Sequence, residues 1–183
     1  SHHPGGPKAS HALTFKLEHS SGAAQCLIPM AAACKADEVE NYARVFEALC
    51  VASKLEAKQI NAVLDTQQKR KFMNAKDLAL ATPDADAGAV FLNNRTIYFA
   101  AYGARSGTFG GAFCSIGTEG FAHSGLKRII ENYFTTFNFK GDERIGGSKV
   151  SLYEGFLPGF PPNIAVGIQS DFGMSVLSLF IVE

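Results

Sequence analysis

At 183 residues, 46% hydrophobic and 19% charged, the chain is long enough to bury one core of ordinary size without staples. Its 17 basic residues balance 17 acidic ones, and the largest basic cluster is Lys69-Arg70-Lys71, so a nucleic-acid partner has no electrostatic footprint. No apolar run approaches the roughly 18 residues of a membrane span, and no cationic leader opens the chain.

The pattern predicts a loose tail over Ser1–Ser10, with two Pro and two Gly, followed by a single α+β domain from residue 11 to 183. Leu13, Phe15 and Leu17 alternate with Thr14, Lys16 and Glu18, which reads as a half-buried strand. Ser20-Ser21-Gly22 turns, and Ala23–Met30 returns as the second arm of a hairpin.

Asp37 and Glu40 have the spacing of a capping box. Val39, Tyr42, Ala43, Phe46, Leu49 and Cys50 share one face of the helix expected to run to about Ser53. A second, more exposed helix is expected from Ala57 to about Lys71, with the basic cluster as its solvated end. Phe72–Asp86 reads as connection.

Ala89–Leu92 and Thr96–Tyr102 read as a hairpin around Asn93-Asn94, since Asn tolerates positive φ. Thr108–Ile116 reads as a strand interrupted by Gly110-Gly111, which implies a bulge or the close approach of another backbone. Ser124 is placed as the N-cap of a helix carrying Leu126, Ile129, Ile130, Tyr133, Phe134 and Phe137 on one wide face. Gly141–Gly147 reads as a turn region and Lys149–Glu154 as a strand. Asn163–Gln169 and Met174–Val182 close the chain around a turn at Asp171-Phe172-Gly173, and the last strand is expected to be central or well covered. The order ββ-αα-βββ-α-βββ is dominated by hairpins, so the fold expected is α+β with a largely antiparallel sheet and helices packed on it.

Four cysteines, Cys26, Cys34, Cys50 and Cys114, form no CxxC pair and no metal-type spacing. Each lies in apolar context, so free, buried thiols in a reducing compartment are expected, with no metal and no cofactor.

Two candidate sites follow. Cys114 and His123 flank a glycine-containing loop. A thiol nucleophile needs a base beside it to ionise at neutral pH, and Thr118 or Ser115 would orient the imidazole while Gly110 and Gly111 offer backbone N–H donors. The span Thr108–His123 resembles cysteine deamidases of the chemotaxis-receptor and cytotoxic-necrotizing-factor type, departing from them at Phe113, where they carry small residues. That resemblance implies a cysteine-dependent amidase or glutamine deamidase.

The second candidate is the proline-stiffened loop Gly155–Asn163, where Phe156, Leu157 and Phe160 would anchor a protein partner or a small apolar ligand unless the loop folds back over its own core. Arg105, in the glycine-rich turn, is a candidate anion grip. Packing signals outnumber catalytic ones. The favoured reading is therefore a non-catalytic interaction or small-ligand-binding module, a subunit or adaptor, with the thiol hydrolase as the alternative.

Overall fold

The computed structural model describes residues 31–81, 85–104, 110–145, 147–171 and 173–182. The tail, the first expected hairpin, Cys26 and Arg105 lie outside the described residues.

The chain has an α+β fold: an eight-stranded antiparallel sheet with four α-helices among the described residues. Helix α1, Ala31–Phe46, runs directly into a π-helical turn, Glu47–Val51. It starts before the expected capping box because Ala31–Ala33 are strong helix formers and extend it backwards. Helix α2 spans Ala57–Asp65. It stops six residues short of expectation: Gln68–Phe72 is strand β1, paired with β2, Ala87–Asn93. The basic cluster is therefore an edge strand, and tertiary pairing has overridden helical propensity. Lys69 sits at positive φ beside a register shift, and both lysine and a bulge discourage another chain from adding to this edge.

A short helix α3, Ala75–Ala81, occupies what reads as connection. Asn74 starts it, its side-chain oxygen accepting from the Asp77 N–H at 2.9 Å. Strand β3, Thr96–Gly103, pairs with β2 across a turn in which Asn94 and Arg95 both have positive φ, 44° and 68°. Such a turn matches the right-handed twist of the two strands it joins. Strand β4, Gly110–Glu119, is bulged between Gly110 and Phe113, as the paired glycines imply. A Cβ on Gly111 would lie 2.7 Å from the Ile181 carbonyl oxygen, so the close backbone approach is real.

Helix α4, His123–Tyr133, begins at Ala122 rather than being capped by Ser124, and no side chain caps it. Strand β5, Asn138–Ile145, replaces the expected turn region. It is the second sheet edge, polar and bulged at Lys140, so its sequence hides the alternation that marks a buried strand. Strands β6, Ser148–Gly155, β7, Ile164–Asp171, and β8, Met174–Val182, complete the order β1-β2-β3-β4-β8-β7-β6-β5. The last strand is central, as expected. Two four-stranded meanders are thus joined where β8 lies against β4, with α4 crossing between them.

The two faces of the sheet differ. Tyr98, Tyr102, Cys114, Ile116, Val166, Ile168, Leu177 and Leu179 meet Tyr42, Phe46, Leu49, Ile60, Leu126 and Ile129 from the helices in one main core. The tyrosines carry their hydroxyls to partners. Tyr42 donates to the carbonyls of Ile116 and Ser175, Tyr102 donates to Asn61, and Tyr98 accepts from Asn41 at 3.0 Å. Burial raises the pKa of all three phenols. The second face carries a smaller cluster, Ala101, Phe113, Leu152, Ala165 and Phe180, with Leu78 of α3 set over Gly88. Among the described residues no helix is long and apolar enough to cross a membrane.

Candidate functional site

Cys114 lies on the helix-covered face of β4, fully buried, and is joined to Cys50 of the π turn by a disulfide. The expectation of free cysteines is corrected at this pair, and the reducing compartment inferred from it loses that support. Residues 64 apart met because the helix layer sets the π turn directly over β4, a contact no local spacing encodes. The disulfide also occupies the sulfur that a Cys114 nucleophile needs.

His123 stands elsewhere. Its Nδ1 lies 3.0 Å from Ser170 Oγ, which lies 3.3 Å from Ser175 Oγ, and Ser175 donates to the Phe121 carbonyl at 2.5 Å. This chain of bonds ties the start of α4 to the β7–β8 hairpin. Cys114 faces Leu179 on β8, and Ser175 is four residues further along that strand, about 13 Å away at the rise of an extended chain. Thr118 is buried and its hydroxyl donates to the Ile97 carbonyl at 2.8 Å, so it does not orient the imidazole. Ser115 is bonded to Ser178 at 2.7 Å. The structure therefore divides the expected constellation among three places. Burial, with help from Lys127, lowers the His123 pKa and favours its neutral ring.

The proline-stiffened loop splits its three anchors. Leu157 and Phe160 pack against the main core, so this part folds back as a cap. Phe156 is 55% exposed, and its carbonyl accepts from the Thr136 hydroxyl at 2.5 Å. One apolar side chain thus remains available there rather than three.

A groove of about 550 Å³ opens on the second face, near the end of the sheet where β2 turns into β3. The register places Val90, Phe99 and Gly117 side by side in it. Ile97, 64% exposed, and Met174 flank them, and Arg95 and Glu119 bring opposite charges to the same groove. Neither charge takes part in an ion pair among the described residues. A Cβ on Gly117 would come within 3.2 Å of Val176 and 3.4 Å of Met174, so glycine keeps this part of the groove open. The sequence offered one signal for it: Ile97 and Phe99 are large apolar residues on the strand face opposite Tyr98 and Tyr102. That signal is ambiguous, since a strand buried on both faces reads the same way.

No family model matches the chain, no curated protein matches it, and no solved structure matches it.

Proposed function

We propose that the chain is a non-catalytic binding module that takes a small apolar ligand in the groove beside Ile97. The observation that carries this reading is the combination of volume and lining there. About 550 Å³ falls within the rough 300–1,000 Å³ range of small-molecule sites, and such sites are apolar with a few polar groups that orient the ligand. Val90, Ile97, Phe99 and Met174 supply the apolar surface, and Arg95 and Glu119 supply the polar groups.

The test is titration with a fluorescent naphthalene sulfonate probe, followed by NMR shift mapping. Saturable binding with shifts confined to Val90, Ile97, Phe99, Gly117 and Met174 is expected. Ile97→Asp weakens it about tenfold or more, the order expected from losing one buried aliphatic contact, while Phe156→Asp leaves it unchanged. Shifts centred on Phe156, or no saturable binding, would overturn the reading.

A further inference from the structure

Asn94-Arg95-Thr96 is an Asn-x-Ser/Thr sequence with a residue other than proline between, the acceptor pattern for N-linked glycosylation. It occurs once in the 183 residues. A pattern this short arises by chance, so its place in the fold decides whether it means anything. Asn94 lies at the tip of the β2–β3 hairpin, exposed, in a tight turn with φ 44°. Its side chain leans toward the helix layer, where Nδ2 donates to Asn41 Oδ1 at 2.7 Å. Arg95 and Thr96 line the groove on the other face, whereas Asn94 lines a separate cleft with Asn41 and Arg44.

The second observation is independent of the first. Cys50 and Cys114 are paired, and structural disulfides form in compartments that oxidise thiols, which in many cells are also where N-glycans are added. Disulfide and acceptor sequence thus point to the same cellular route from two separate places: the bond at Cys114 of β4, deep in the core, and the acceptor at the exposed tip of the β2–β3 hairpin.

We infer that Asn94 is an N-glycosylation site and that the chain folds in an oxidising, glycan-transferring compartment. The donor is a lipid-pyrophosphate-linked oligosaccharide. A bond forms between Asn94 Nδ2 and C1 of the first sugar, the C1–O bond to pyrophosphate breaks, and the lipid pyrophosphate departs as Nδ2 gives up one proton. The substituted nitrogen keeps its other N–H. The glycan then stands at the sheet's end on the helix side, leaving the groove beside Ile97 open.

The full chain, expressed behind a secretory leader in mammalian cells, tests this by intact mass before and after peptide N-glycosidase. A loss of mass on treatment is expected, with Asn94 converted to Asp and with Cys50 and Cys114 oxidised in the same material. Asn94→Gln and Thr96→Ala abolish the shift, and Thr96→Ser retains it, which separates loss of the acceptor from misfolding. Secreted, oxidised protein with Asn94 unmodified overturns the inference. So does folded protein from its native source with Cys50 and Cys114 as free thiols.

Discussion

The two faces of the sheet are built from the same strands but to different ends. On the face beneath α1, the π turn, α2 and α4, nearly every inward side chain is large and buried. On the other face, Gly88, Ala101, Ser115, Ser178 and Gly167 follow one another across five strands in register, and Ile97 stands out beside a groove. The first face shows where stability resides. Among the described residues, the second leaves a groove open beside Ile97, and this is why the binding proposal is placed there.

If that division holds, changes on the first face act on stability and changes around the groove act on binding. The largest effect is expected from Cys50→Ala with Cys114→Ala. Opening a loop with ends 64 residues apart removes about 4 kcal/mol on the chain-entropy account, read as a fall in the urea midpoint. Next is Ile129→Ala, which leaves a void between α4 and the sheet and costs about 3 kcal/mol by the same measurement. Tyr42→Phe comes third. It leaves the Ile116 carbonyl without that donor and costs about 1–2 kcal/mol. Ile97→Asp, by contrast, moves stability by no more than about 0.5 kcal/mol while weakening the apolar probe. A stability loss there as large as that of Ile129→Ala would erase the distinction between the faces.

The smallest effect is one of pH. The His123 pKa is lowered in the folded chain, so the unfolded chain binds its proton first as pH falls. The corresponding stability is fully present above the ordinary histidine value, about pH 6.5, and is lost as pH drops through the lower folded value. His123→Gln should therefore flatten the acid side of the stability profile slightly. An unchanged slope would mean that the ring is as well solvated in the folded chain as in the unfolded one.

Much of the main core was legible because burial on one face leaves a period. Leu126, Ile129, Ile130 and Phe134 recur at helical spacing, and Ile164, Val166 and Ile168 alternate, and all are buried. The misread elements lie at the margins. Strands β1 and β5 are polar edge strands, where the pattern that marks a half-buried strand is absent. Helix α3 was signalled by Asn74 and Asp77 but is only seven residues long, too short for a clear period.

The candidate sites fared differently for the same reason. Cys114 and His123 are nine residues apart in the chain, yet a strand and a turn carry them apart, Cys114 within β4 and His123 at the start of α4. Cys50 is far away in sequence and shares a bond with Cys114.

Which stretches are apolar on one side was already written in the chain, and with that the α+β class, the β2–β3 and β7–β8 hairpins and most of the buried residues. These follow from local periodicity and turn chemistry, which act over a few residues. Which cysteines meet, that Leu157 and Phe160 turn inward while Phe156 does not, and that Val90, Phe99 and Gly117 line up beneath an open groove emerged only in the assembled fold. Those outcomes depend on strand register and on which helix lies over which strand, and no short-range pattern in the chain specifies either.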